Sequence, residues 1–399
     1  MPLFPPRIRI ELKSRLRHKG RQSIEHGTVN GVVNLKRICW WSAENGRDDT
    51  IDHLIGVVAG KVSTGVRRMC CTVAITQQGF AKASEHLKEL AQISISHERL
   101  RQIVESEGQL VLDVQQKGLL SAGFDIEQCR TSQNGIKRVY VGTDGVKVPM
   151  VRQLEKDKRR KNRRSRRGGG KRRRMHVGAD NAYKEFKIAI IYDESNEHRQ
   201  VIATSGNHEA LGRLLRRQAG RLRIGDADEK LSVTDGADWI AKQLECKLPM
   251  LDSRILDFYH LSEHIWLAAN ICFGQGSEQA GKFASDILHV AKHDGPTALL
   301  TRLMDEHKKY RSGGKRRSLK ELIQYIARRF GMCEYPKFIE KGWQIGSGPT
   351  EAMCKVLTYR LKGAGMRWDK YGADAIMALI ALRQSNTWTS YWNLRKQAA

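Results

Sequence analysis

The chain has 399 residues, 40% hydrophobic and 28% charged, which is enough for one large core or two to three smaller ones and too apolar for wholesale disorder. Lys and Arg number 70 against 43 Asp and Glu, a formal charge of +27; a compact protein carries that excess badly unless a polyanion neutralises it, so nucleic acid is the expected partner. No run approaches the ~20 consecutive apolar residues of a membrane span, no apolar h-region follows the first charges, and the eight cysteines include no Cys-x-x-Cys pair, so a cytoplasmic chain with reduced thiols and no cysteine zinc knuckle is expected.

Residues 1–49 read as an irregular basic segment around one candidate strand at 32–41. Residues 50–130 read as a helical region. Ile51, Leu54, Ile55 and Val58 share one face, 65–75 is a second candidate helix, and 80–90 a third with Phe80, Ala83, Leu87 and Leu90 inward. After a break at Gln92 and Ile93, Ser94 or Ser96 can cap a further helix through Leu100, Ile103 and Val104. Two helices joined by so short a turn, the second displaying His97, Glu98, Arg99, Arg101 and Gln102, have the shape of a helix-turn-helix, with Arg99 and Arg101 as candidate DNA contacts. The competing reading is a plain helical hairpin in an all-α domain.

From Ile136 the period switches to strands, opening a core expected over 131–260. KRVYVGTDGVKVPMV reads as two short β runs turning at Asp144-Gly145, a hairpin signal. Residues 152–174 then hold fourteen Lys and Arg against Glu155 and Asp157, which accounts for +12 of the +27. With three consecutive glycines and almost no apolar side chain, this segment cannot offset its ordering entropy and is expected to be a flexible loop tracking phosphates. Its candidate DNA contacts are Arg159, Arg160, Lys161, Arg163, Arg164, Arg166, Arg167, Lys171, Arg172, Arg173 and Arg174. KEFKIAIIYD and HRQVIATS follow as strands, then an amphipathic helix over 207–223, a short strand to Asp235, a helix over 237–244 and a strand ending at Asp257. Strands, helix, strand, helix, strand is a mixed α/β order. Residues 261–340 read as a helical insertion, and 341–399 as the C-terminal part of the catalytic domain, with helices at 349–361 and 372–384.

Two matching motifs carry the chemistry. VGTDG at 141–145 and VTDG at 233–236 each place one carboxylate on an apolar strand before a glycine. A strand-end Asp-Gly is often only a turn. An aspartate buried on a strand is costly unless paired or on a metal, however, and two in matching contexts suggest a shared cation. Hard carboxylates select Mg²⁺ or Mn²⁺, and two such ions about 4 Å apart can activate water and stabilise the leaving oxygen of a phosphodiester. The third ligand is expected at Glu351, in the first turn of a helix introduced by Gly-Ser-Gly-Pro, where the helix dipole favours a carboxylate. Trp343 and Trp368 flank that helix; Trp368 is a candidate to stack on an unpaired base, and Lys355, Arg360, Lys362 and Arg367 are candidate phosphate contacts.

Asp144 and Asp235 on strands and Glu351 on a helix resemble the DDE transposases of bacterial insertion sequences, whose catalytic domain is RNase H-like. IGSGPTEAMCKVLTYRLKGAGMRW at 345–368 resembles the glutamate-bearing block of their Kra-type group, and Asp257-Phe-Tyr-His260 is similar to the C/D-x-x-H signature between the second Asp and the Glu. The resemblance covers roughly residues 35–385. It implies an RNase H-like mixed sheet with a helical insertion between Asp257 and Glu351. It also implies a triad of Asp144, Asp235 and Glu351 holding about two Mg²⁺ ions, with Asp257 and His260 as structural or auxiliary groups. The implied partners are the element's terminal inverted repeats and a target DNA, with a homo-oligomer bringing two ends together. Where relatives often carry paired cysteines, Cys39 is followed by Trp40 and Trp41, so a zinc site in that part is not expected.

Three other readings compete. A structure-specific endonuclease on the same fold would share the carboxylates but not strand joining, and a decayed transposase would bind DNA as a regulator without catalysis. His260-Leu-Ser-Glu263-His264 also fits the H-x-x-E-H pattern of a zinc protease, which accounts for neither the basic loop nor the Asp-Gly strands.

Overall fold

In a computed structural model the described residues are 17–42, 46–48, 62–131, 133–152, 154–155, 157–158, 183–363, 366 and 368–397. Strands β1 (Arg17–Thr28), β2 (Gly31–Ser42) and β3 (Gly46–Asp48) precede helices α1 (Thr64–Thr76), α2 (Phe80–Ala91) and α3 (His97–Lys117). Then come β4 (Arg138–Val148), β5 (Lys184–Asp193), β6 (Arg199–Thr204), α4 (His208–Arg221), β7 (Glu229–Thr234), α5 (Asp238–Lys247) and β8 (Ser253–Leu256). Helices α6 (Phe258–Phe273), α7 (Glu278–His293), α8 (Gly295–Lys308), α9 (Gly314–Ala327) and α10 (Tyr335–Glu340) lead to α11 (Gly348–Lys362), α12 (Lys370–Gln384) and α13 (Trp388–Gln397). The chain divides into two compact units: residues 1–121, 147–185 and 356–399 in one, residues 122–146 and 186–355 in the other.

In the first unit, β1, β2 and β3 make an antiparallel sheet where the sequence reads as irregular around a single strand. Thr28 and Gly31 close the hairpin: the Asn30 N–H donates to Thr28 Oγ1, and Gly31 takes φ +110°. In β1, RHKGRQSIEHGT, Ile24 is the only large apolar side chain, so no period-two signal marked the strand. Helices α1, α2 and α3 follow the expected spans, and Ser96 caps α3 by accepting the Arg99 N–H. Gln92, in the left-handed region at φ 54°, ends α2. The candidate helix around 51–58 lies outside the described residues.

Helices α12 and α13 and the end of α11 belong with α1–α3, whereas the sequence boundaries kept 341–399 together. Helix α12 is buried from Ala375 to Leu382 and lies against α3. The approach is close enough that a Cβ on Gly108 would stand 2.4 Å from the Ala375 carbonyl oxygen. A fully buried carboxylate, Glu107, ties the unit together. It accepts from Arg67 at 3.1 Å, from Arg395 at 2.9 Å and from the Tyr391 hydroxyl at 2.8 Å.

The second unit is a mixed α/β fold whose five-stranded sheet runs β6-β5-β4-β7-β8. Strands β4, β7 and β8 are parallel, while β5 and β6 are antiparallel. Val139 and Val141 of β4 face a core with Leu211 and Leu215 of α4 and Ile240 and Leu244 of α5, so these two helices cover one face. The expected helical insertion is present as α6–α10. Asp144-Gly145 is not a hairpin: β4 runs unbroken through it. Gly145 lacks the positive φ that a two-residue turn of the Asp-Gly type demands.

Candidate active site

Val141 of β4 pairs with Ser232 of β7 in parallel register. Asp144 lies three residues beyond the first, inside β4, and Asp235 three beyond the second, just past the end of β7, so the two aspartates stand at the same offset from a paired position on neighbouring parallel strands. Both are half-buried. The carboxylate of Asp144 accepts its neighbour's N–H, from Gly145 at 2.5 Å.

Asp235 sits in a turn fixed from outside. Its carboxylate accepts the Ala237 N–H at 2.9 Å, and Gly236 adopts φ +73°. The Tyr325 hydroxyl of α9 donates to the Asp235 carbonyl at 3.1 Å and Arg329 Nε to that of Gly236 at 2.9 Å, with the guanidinium 4.1 Å above the Tyr325 ring. A Cβ on Gly236 would meet Arg329 Nε at 2.6 Å, so the turn needs glycine for conformation and for space. Burial pushes the Tyr325 hydroxyl well above its usual range, which keeps it a proton donor.

Glu351 is brought to the same face of the sheet by its neighbour. A Cβ on Gly142 would lie 1.8 Å from Thr350 Oγ1, so the first turn of α11 presses directly on β4. Gly142 and Asp144 are two apart on a strand and therefore share a face, opposite that of Val139 and Val141. Glu351 itself is exposed, its carboxylate 3.8 Å from Lys355 Nζ. Among the described residues no three His, Cys, Asp or Glu side chains are grouped closely enough to hold a metal ion, so Asp144, Asp235 and Glu351 do not close on a common point.

The segment entering α11 is stitched down along its length. Arg138, nearly fully buried and paired with Glu229 at 2.5 Å and Glu194 at 2.8 Å, donates to the carbonyls of Lys341 and Gly342. The Tyr140 hydroxyl accepts the Gln344 N–H at 3.0 Å. Asp257, 3% exposed, receives three hydrogen bonds: from Ser347 Oγ at 2.7 Å, the Ser347 N–H at 3.2 Å and the Tyr259 N–H at 3.1 Å. It thereby caps α6 and anchors the start of α11 together. Sequence reasoning missed Arg138, Tyr140, Tyr325 and Arg329. Each acts on a backbone group distant in the chain, and nothing local in a Lys-Arg or Tyr-x-x-x-Arg string marks such a role.

The H-x-x-E-H residues are otherwise engaged. His260 Nδ1 lies 3.3 Å from Glu263, its ring stands edge-on to His264 at 5.0 Å, and His264 stacks on Tyr325 at 4.0 Å. Burial, with His260 and Arg329 beside it, holds the His264 pKa below its ordinary value.

Among the candidate DNA contacts, Arg101 is held within its own helix by Glu98 at 2.7 Å and by Glu105, while Arg99 donates to Gln102 at 3.1 Å. Arg159 to Arg174 and Arg367 lie outside the described residues. Trp368 is not a stacking surface: it is 5% exposed, edge-on to Phe80 at 5.9 Å, with Arg360 5.0 Å from its ring. Nor is Arg360 a phosphate contact. It is 1% exposed and donates to the Ala74 carbonyl at 2.9 Å, and burial lowers its pKa to about 10. Both residues serve the core of the helical unit, Arg360 in the last turn of α11 and Trp368 in the segment after it, each packed on Phe80 of α2.

Among the described residues no helix is long and apolar enough to cross a membrane. No family model matches this chain, and no curated protein does. Among solved structures, the Drosophila P element transposase strand transfer complex aligns over 78% of this chain and 91% of that one, at 10% identity and a TM-score of 0.34; a likeness at that score carries no argument about fold or activity.

Proposed function

We propose that the protein is a DDE-type transposase that binds the terminal inverted repeats of an insertion sequence and cuts and joins DNA strands on an RNase H-like core. One observation carries the reading: two aspartates at the same offset from a paired position on neighbouring parallel strands, with the first turn of the Glu351 helix pressed on Gly142, two residues from Asp144 on the same face. The order of strands, helix, strand, helix, strand in the second unit agrees with it. Three carboxylates are a donor set for hard divalent cations. Asp144, Asp235 and Glu351 are the residues that would hold Mg²⁺, which supplies water activation and charge stabilisation at the leaving oxygen. Glu351 reaches that arrangement by leaving Lys355, an exposed pair worth little. Asp257 acts on the reaction by fixing where α11 starts, and Tyr325 and Arg329 by fixing the Asp235 turn.

DNA is the partner that the charge of +27 suits, with the basic run at 152–174 following phosphates. Arg99 is the better placed of the two α3 arginines, since Arg101 must first give up Glu98 and Glu105. Two ends cut in concert require at least a pair of subunits. The test is incubation with precut element ends, Mg²⁺ and plasmid. Joined product is expected, and Asp144→Ala should abolish it while retaining binding. Cleavage without joining would favour a structure-specific nuclease, and binding unaccompanied by any Mg²⁺-dependent chemistry would favour a regulator.

A further inference from the structure

Across the sheet from Asp144, α4 and α5 form a groove of about 440 Å³ lined by Arg213, Arg216, Arg217, Gly220, Arg221 and Lys247. Five of these six residues are cationic and none is acidic. We infer that this groove is a second binding site for nucleic acid, gripping the phosphate backbone of a duplex on the face of the sheet remote from the carboxylates.

The packing produces the charge cluster. Gly212 has no room for a side chain, since a Cβ there would stand 2.1 Å from Gln243 Oε1 and 3.1 Å from Lys247 Cγ. The missing methyl lets α5 close on α4 and carries Lys247 to the arginines. Arg213, Arg217 and Arg221 repeat at four-residue intervals and therefore stack along one side of the helix. Like charges at that spacing cost a few tenths of a kcal/mol per pair. Leu211, Leu215 and Ala219 supply the buried side of α4. Arg213 reaches Glu209 only at 3.9 Å, with both side chains largely exposed.

The chemistry selects phosphate. Guanidinium forks match phosphate oxygens two at a time, and the stripe extends for about 12 Å at 1.5 Å per residue. B-DNA presents one charge per about 1.7 Å of axis, so one groove spans several phosphates. An acidic protein surface offers no such regular row of anions. Because the groove lies away from Asp144, the DNA held there is not the strand being cut.

The test is anisotropy of a labelled duplex of arbitrary sequence with the full chain, in EDTA, over about 50 to about 200 mM salt. Each phosphate that the protein no longer neutralises lowers the slope of log K against log salt by about 0.9. Gln at Arg213, Arg216, Arg217 and Arg221 together should therefore lower it by about 2 to about 4. Lys at the same four positions should keep the slope and weaken the affinity. An unchanged slope in a Gln variant that melts like the parent overturns the site, as does a slope that collapses with Lys, since charge alone sets it. Poly-glutamate displacing the duplex at equal charge would point to an acidic protein partner and overturn the assignment to nucleic acid. No cleavage enters the readout, so a chain that cuts nothing still passes or fails this test.

Discussion

Replacing Asp257 by Ala tests whether this carboxylate holds the start of the Glu351 helix. The side chain is 3% exposed and accepts from Ser347 Oγ, the Ser347 N–H and the Tyr259 N–H. Alanine leaves three donors without an acceptor. A buried orphan costs about 1–3 kcal/mol and a lost N-cap about 1 kcal/mol; allowing water to reach one donor, the local cost is about 3 kcal/mol, or roughly two decades in an opening equilibrium. Because the chain has two units, a global melt would blur the effect, whereas hydrogen exchange resolves it. The amides of Ser347, Tyr259 and Glu351 should exchange about a hundredfold faster, with those of α4 unchanged. Strand joining should fall with them, because Glu351 N–H is closed on the Ser347 carbonyl at 3.1 Å. Asp257→Asn keeps one acceptor oxygen and should show a smaller change of the same kind. Exchange at these three amides within threefold of the parent would refute the reasoning.

Gly142→Ala places a methyl at 1.8 Å from Thr350 Oγ1; it should displace the first turn of α11 and cost about 1–3 kcal/mol by overpacking, read as loss of joining with DNA binding retained. Glu107→Ala strands the buried Arg67 and Arg395 and should destabilise the helical unit by about 3–5 kcal/mol in urea unfolding. His264 should titrate below 6.5 by NMR. A folded pKa depressed below the unfolded one means that the unfolded chain binds more protons as pH falls through that window. The stability this imidazole contributes is therefore whole above pH 6.5 and lost toward its folded pKa, and His264→Gln should remove that part of the acid sensitivity.

What was legible in the sequence was periodic or carried by a motif. Helices α2, α3 and α4 announced themselves by apolar spacing, α3 also by Ser96 as a cap, and β5 to β8 by short apolar runs. Strand β1 was illegible because its alternation is built from Arg, Lys, Gln and Glu, with the pairing supplied by β2. Asp144-Gly145 misled because a turn dipeptide is a local preference, and a strand that pairs with β7 as far as Val141 and carries Gly142 against Thr350 overrides it. Trp368 and Arg360 looked like surface DNA contacts because composition does not say which side of a helix end is covered; α1 and α2 cover this one. The three carboxylates were singled out because their chemistry names them. The groups that hold the backbone beneath them were not, since burial and distant carbonyl partners leave no local trace.

Those hidden groups share one strand face. Arg138, Tyr140, Gly142 and Asp144 are alternate residues of β4 and point the same way. The first donates to the carbonyls of residues 341 and 342, the second accepts the N–H of Gln344, the third makes room for Thr350, and the fourth is the carboxylate. The lead-in to α11 is thus laid along β4 in order, so that Thr350 arrives against Gly142 on the strand face that carries Asp144. A slip of one residue would turn all four to the covered face together and bring Val139 and Val141 out from under α4 and α5. The apolar core behind the sheet therefore fixes the alignment of the polar groups in front of it.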